Sequence, residues 1–170
     1  SRCVRKNLFS NDIWSPRKHR LYQPLNYKNK SSSYINGSRC GLLNPRSVNK
    51  KEVSISELIT SQNLLLLILT ETWWSSDNEK SKVSRGLCTP DGYDLRHTPR
   101  NTATCGGGVG IVFKDSLKPR VIKFKTFTSF EHQITRFTSV KETLYVTCIY
   151  LPSDYNSQTI IELRELLDHL

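Results

Sequence analysis

The stretch QNLLLLILTETWW, Gln62 to Trp74, decides how the rest of the chain is read. Leu64 to Leu69 is an unbroken apolar run, and a run of that length bounded by polar residues predicts a buried central strand. Leucine by itself favours helix, so the strand reading rests on its flanks. The run closes on Thr70, Glu71 and Thr72, followed by Trp73 and Trp74. A carboxylate at the end of a core strand is held rigidly and partly desolvated, which suits a hard cation such as Mg²⁺. The plainer alternative is an ordinary surface acid at a strand end.

Working upstream, CGLLN (Cys40–Asn44) is a short apolar segment stopped by Pro45. A residue before proline is pushed towards extended geometry, so Asn44 is expected at a strand end. Asn49 then reads as a helix N-cap, with Glu52 three positions on completing a capping box. Ile55, Leu58, Ile59 and Gln62 follow at helical spacing. Strand, helix and strand in this order make a β-α-β crossover of about thirty residues, which forces the two strands parallel. Their C-terminal ends then share one edge of the sheet. Asn44 and Glu71, 27 positions apart in the chain, each end a strand at that edge, and neighbouring strands would bring them into one site.

Downstream, Trp73 to Thr98 reads as a long loop with a turn at Pro90-Asp91-Gly92, and with Trp73, Trp74 and Tyr93 packing over the end of the core. Arg96, His97 and Arg100 gather before the glycine run Gly106-Gly107-Gly108-Val109-Gly110. A lone histidine in this setting is more often a surface residue than a catalyst. The glycines do not form a nucleotide loop: no Gly-Lys-Ser/Thr ending follows, and Val109, Ile111 and Phe113 continue as strand. Glycines there let a backbone approach closely or bend a strand. Arg120–Phe127, His132–Thr138 and Thr143–Tyr150 are β-rich runs, the later ones separated by short turns, and predict an antiparallel meander. The sheet is therefore expected to be mixed, parallel first and antiparallel later. Asn156 or Ser157 can cap a final helix with Ile160, Leu163, Leu167 and Leu170 on one face. That helix reaches the last residue without a stop signal, which suggests a truncated domain, with a natural terminus as the alternative.

The 170 residues suffice for one domain with a core. Net charge is +10, but residues 1–39 carry +8 of it, which leaves the remainder nearly neutral. Overall pI is thus weak support for nucleic-acid binding. Residues 80–125 hold ten Lys/Arg against three Asp, an excess that either lines an anionic substrate or forms a solvated face. Residues 1–38 are basic and turn-rich, without sustained period, and are expected to be a disordered or loosely attached arm. The domain proper is expected over 39–170. We read the arm as sequence outside any domain rather than as a nucleic-acid tail. The five cysteines show neither CxxC nor zinc spacing, and read as reduced thiols of an intracellular protein. No run approaches the roughly 20 apolar residues of a membrane span, and no signal-peptide order opens the chain.

GLLNPRS (41–47), LTETWW (69–74), DGYDLRH (91–97), GGGVGIVFK (106–114), FEHQI (130–134) and CIYLPS (148–153) occur in an order and spacing that resembles the endonuclease–exonuclease–phosphatase superfamily. The resemblance is closest to the apurinic-endonuclease-like domain of non-LTR (LINE-type) retrotransposons, and covers roughly residues 40–170. Singly each piece is weak, and together they are fairly specific. The resemblance implies an α/β fold, a four-layer α/β sandwich of two mixed sheets packed face to face with helices outside, here incomplete. It implies hydrolysis of a DNA phosphodiester dependent on Mg²⁺, or Mn²⁺ in its place. On the family pattern Glu71 binds the metal, and Asn44 orients the phosphate or a metal-bound water and so belongs to the metal site. The Tyr150 hydroxyl contacts the phosphate. Arg46 and Ser47 are placed to contact the DNA backbone, and Arg96, Arg100 and Glu131 are further substrate-side candidates, Glu131 in a supporting role. Implied partners are DNA and a reverse transcriptase domain in the same natural chain, with no membrane, and the implied location is the nucleus.

Two family motifs of the second half, Asp-x-Asn and a terminal Ser-Asp-His, are not found in these 170 residues; Asp168-His169 lies too early to be the latter. The expected function is therefore a nick in target DNA that primes reverse transcription, with this fragment inactive alone. Two alternatives stand beside it: a phosphoesterase of the same fold acting on a non-DNA phosphate ester, and a noncatalytic remnant or binding module.

Overall fold

A computed structural model describes residues 38–75, 78–100, 106–138, 143–152 and 155–170. The basic arm expected over 1–38 lies outside these but for its last residue. The chain folds as a β-α-β unit, β1 (Arg39–Leu43), α1 (Glu52–Ser61) and β2 (Leu64–Thr70), followed by α2 (Glu79–Cys88), β3 (Tyr93–Thr98), β4 (Val109–Lys114), β5 (Lys118–Ile122), β6 (Glu131–Thr138), β7 (Thr143–Tyr150) and α3 (Ser157–His169). Two sheets form. The first has order β1-β2-β4-β3, the second β5-β6-β7. β1 and β2 are parallel, as a crossover requires. β4 runs antiparallel to both β2 and β3, making this sheet mixed, whereas the described strands of the second sheet are all antiparallel.

Three apolar layers hold the elements together. Ile55 and Ile59 of α1 and Cys88 of α2 pack with Leu64, Leu67, Leu69 and Trp74 on the outer face of the first sheet. Leu65, Leu66, Ile111 and Phe113 meet Phe137 between the sheets. Phe127, Phe130 and Ile134 pack with Leu166 of α3 on the far side of the second sheet. Helix, sheet, sheet and helix thus make an α/β sandwich of four layers. β2 is the hinge of this arrangement because it is buried on both faces. Burying each such leucine contributes roughly 1.5–3 kcal/mol, which overrides its helical propensity.

The structure corrects several details. The stretch expected as a loop over Trp73–Thr98 contains α2 and β3. The helix was hidden because its buried positions are Ser81, Ser84 and Cys88, so no apolar stripe marks it; Asn78 caps it by accepting from Lys80 N at 2.8 Å. β3 is half-buried throughout and shows no alternation. The turn at Pro90–Gly92 is present, closed by Tyr93 N to Pro90 O at 3.1 Å. The N-cap of α1 is Lys51, without a side-chain cap, not Asn49; the Asn49 amide instead donates to Ser47 Oγ at 3.3 Å. The β-run expected to Phe127 ends at Ile122, and Phe124 and Phe127 leave the strand to pack against the α3 layer. α3 is capped by Asn156 in a box with Thr159, but its buried residues are Thr159, Glu162 and Leu166, with Leu163 partly buried. Ile160, Leu167 and Leu170 are exposed. Glu162 turns inward because Ser129 N, Ser129 Oγ and Thr128 Oγ1 donate to it, so a polar anchor sets the rotation of the helix.

Candidate active site

Glu71 is the first residue beyond β2 and Asn44 the first beyond β1. Because the strands are parallel neighbours, the two side chains meet: Asn44 Nδ2 donates to Glu71 Oε1 at 2.9 Å. The orientation of the Asn44 amide is set locally, since Arg46 N donates to its Oδ1 at 3.0 Å. Tyr150, the last residue of β7, comes from the other sheet, and its hydroxyl donates to the same Glu71 Oε1 at 2.7 Å. Burial, the hydrogen bond to Glu71 and the nearby negative charges of Glu71 and Glu131 push the Tyr150 phenol up to about 12. It therefore stays a proton donor across the physiological range. Glu71 Oε2 has no hydrogen-bond partner among the described residues.

The backbone around this carboxylate is held in an uncommon conformation. Glu71 has φ +48°, and Arg46, Ser47 and Trp73 also have positive φ. Non-glycine residues persist there where surrounding contacts over-determine them, and such residues cluster at functional sites. Here Ser47 N donates to Glu71 O at 2.8 Å and Val48 N to Thr72 O at 3.3 Å. The glycine run supplies the other side: Thr72 N donates to Gly108 O and Trp73 N to Gly107 O.

The remaining expected residues divide. Ser47 is half-buried and Arg46 exposed beside Asn44, both at the rim. Glu131 pairs with Arg100 and accepts from Gly108 N at 3.0 Å, so it joins the site through the glycine run. Arg96 is not brought to the cluster. It pairs with Asp94 at 2.9 Å on edge strand β3 and lies over the Phe113 ring. His97 points to the opposite face, edge-on to Trp74. Its Nε2 and the Thr72 Oγ1 are buried without a hydrogen-bond partner among the described residues.

Burial, with the Arg85 charge second, pulls the His97 imidazole down to about 4. A histidine depressed in the folded chain takes up a proton more readily when unfolded. Its contribution to stability is therefore complete above about pH 6.5, the unperturbed value. It is lost progressively as pH falls from there to about 4. Urea unfolding between pH 7.5 and 4.5 is expected to show a slope that His97→Gln reduces; equal slopes in both chains would exclude this histidine as its source.

The resemblance implied Mg²⁺, and the donor chemistry fits it. Mg²⁺ binds oxygen, keeps several waters and commonly takes only one or two carboxylates from the protein. Glu71 offers one carboxylate, already aimed by two donors. Among the described residues, no three or more His, Cys, Asp and Glu side chains gather as a metal cage, so the fit is to an open, water-rich site.

With two sheets face to face, helices outside and a polar cluster at the ends of β1, β2 and β7, the chain has the endonuclease/exonuclease/phosphatase-like fold. It is similar to the endonuclease domain of TRAS1, a telomere-specific non-LTR retrotransposon, with a TM-score of 0.54 and 10% identity over 78% of this chain and 54% of that one. It is also similar to the AP endonuclease LMAP of Leishmania major, with a TM-score of 0.52 and 14% identity over 72% of this chain and 43% of that one. The chain thus spans about half the length of these structures. No family model matches it, and no curated protein matches it by sequence. No helix among the described residues is long and apolar enough to cross a membrane.

Proposed function

We propose that this chain is the N-terminal part of a Mg²⁺-dependent endonuclease that nicks DNA, of the kind that primes reverse transcription in non-LTR retrotransposons. The observation that carries the reading is the convergence of Asn44 Nδ2 and the Tyr150 hydroxyl on one oxygen of Glu71. The arrangement leaves the other oxygen to face a cation. Bound there, Mg²⁺ would supply charge neutralisation for a phosphate oxygen. Glu71 would hold the ion, and Asn44 would keep that carboxylate oriented, its own carbonyl being engaged by Arg46 N. Tyr150, a firm donor on the rim, would hydrogen-bond a phosphate oxygen as substrate enters. Arg46 and Ser47 stand beside the cluster where a DNA backbone would pass, and a reverse transcriptase domain in the same natural chain would use the exposed 3′ end in the nucleus.

These residues bind and orient; none of them is placed to activate water. On the family pattern, groups that do so belong to the Asp-x-Asn and Ser-Asp-His motifs, which are not found in these residues. Positioning and charge stabilisation dominate phosphodiester hydrolysis, so the 170 residues alone are expected to nick at background. The test compares the natural polypeptide that carries them with the 170-residue chain on supercoiled plasmid in Mg²⁺ and in EDTA. Nicking by the former only, and only with metal, is the expected result. Soluble phosphomonoester hydrolysis faster than nicking would move the substrate away from DNA, and strong cleavage by the 170 residues would overturn the division of labour.

A further inference from the structure

We propose that Glu131 and Arg100 are positioning residues that set the Glu71 site through the glycine run, without touching metal or DNA. The proposal rests on the reading of that site given above. Glu131 opens β6 in the second sheet, and its side chain is 11% exposed, that of Arg100 19%. Both carboxylate oxygens are occupied: Oε1 by Arg100 Nε and Oε2 by Gly108 N at 3.0 Å. A carboxylate whose charge is already balanced by a guanidinium, and which also accepts from a backbone N–H, draws a cation only weakly.

What this pair does hold is the backbone beside Glu71. Gly108 O accepts from Thr72 N at 3.2 Å and Gly107 O from Trp73 N at 2.8 Å. Those are the two residues that follow Glu71, itself at φ +48°, with Trp73 at +61°. The run fits tightly on both sides. A Cβ on Gly107 would lie 2.6 Å from Glu131 Oε1, and one on Gly108 2.8 Å from Thr72 Oγ1. Their φ values of +77° and +83° also disfavour side chains. Glu131 is in addition the cross-strand partner of Tyr150. One carboxylate on the second sheet therefore fixes the backbone after the metal-side residue and stands beside the tyrosine that contacts it. Outer partners that orient a metal-binding carboxylate commonly change metal affinity about tenfold or more when removed.

The test uses the ¹⁵N-labelled 170-residue chain, amide hydrogen exchange, Mn²⁺ titration and binding to a short DNA duplex. Glu131→Ala is expected to speed exchange at Thr72 and Trp73 about tenfold or more, while core amides such as Val112 keep their protection. Mn²⁺ affinity should fall about tenfold. Glu131→Gln, which keeps an acceptor for Gly108 N, should restore most of the protection. If the single alanine variant fails to fold, Arg100→Ala with Glu131→Ala removes both charges together and should show the same loosening at Thr72 and Trp73. Arg100→Ala weakening duplex binding with exchange at Thr72 and Trp73 unchanged would make the arginine a DNA contact and overturn the proposal. So would Glu131→Ala leaving both exchange and Mn²⁺ affinity as in the wild type, where Glu71→Ala abolishes Mn²⁺ binding. Mn²⁺ binding that survives Glu71→Ala would instead sink the reading of the metal site, while the exchange data still decide whether the clamp exists.

Discussion

Glu71→Ala is expected to lower plasmid nicking by the natural polypeptide at least about a thousandfold, on the scale of removing a principal charge-stabilising group from a phosphoryl or acyl transfer site. The physical reason is that three functions meet in one carboxylate. It is the sole acceptor given to Asn44 Nδ2 and to the Tyr150 hydroxyl among the described residues, and the proposed ligand of the ion. Truncation removes the ligand and frees both donors to rotate. The fold should survive, because Glu71 is half-exposed and outside every apolar layer. A urea midpoint close to the wild type, with nicking lost, separates loss of chemistry from loss of structure. Nicking within tenfold of the wild type would mean the carboxylate is not the ion's ligand.

The second large effect concerns stability. Phe113→Ala is expected to destabilise the chain by about 3–5 kcal/mol, the range for removing a buried phenylalanine. Phe113 is fully buried between the sheets, with its ring 4.9 Å from that of Phe137 on the second sheet. No other pair of rings spans the two sheets among the described residues, so the cavity would open at their junction. Domains of this size are commonly stable by only about 5–15 kcal/mol, so the variant should lose a large part of the total. Equilibrium urea unfolding measures it directly. A change under about 1 kcal/mol would mean that the sheets do not pack through this contact.

Much of this was written in the order of the residues. The six-residue apolar run marked the central strand, and the crossover argument placed Asn44 and Glu71 on one rim because parallel neighbours must end on the same side. That pair is in hydrogen-bond contact. The rejection of a nucleotide loop at the glycines also followed from sequence, since a strand and not a helix comes next. Three of the misses, α2, β3 and the rotation of α3, share a cause. α2 buries serines and a cysteine, β3 is half-buried on both faces, and α3 is turned by the hydrogen bonds of Glu162 rather than by its leucines. Hydrophobic periodicity does not register elements that pack through polar or small side chains.

Local order therefore determined where β1 and β2 end and that the two run parallel. It did not determine that Tyr150, 79 positions beyond Glu71, closes on it from a second sheet, or that Arg96 stays at a far edge while Arg100 pairs with Glu131. Those outcomes depend on how two sheets stack and on which face each strand presents. They are set by contacts between segments far apart in the chain, which no window of neighbouring residues contains.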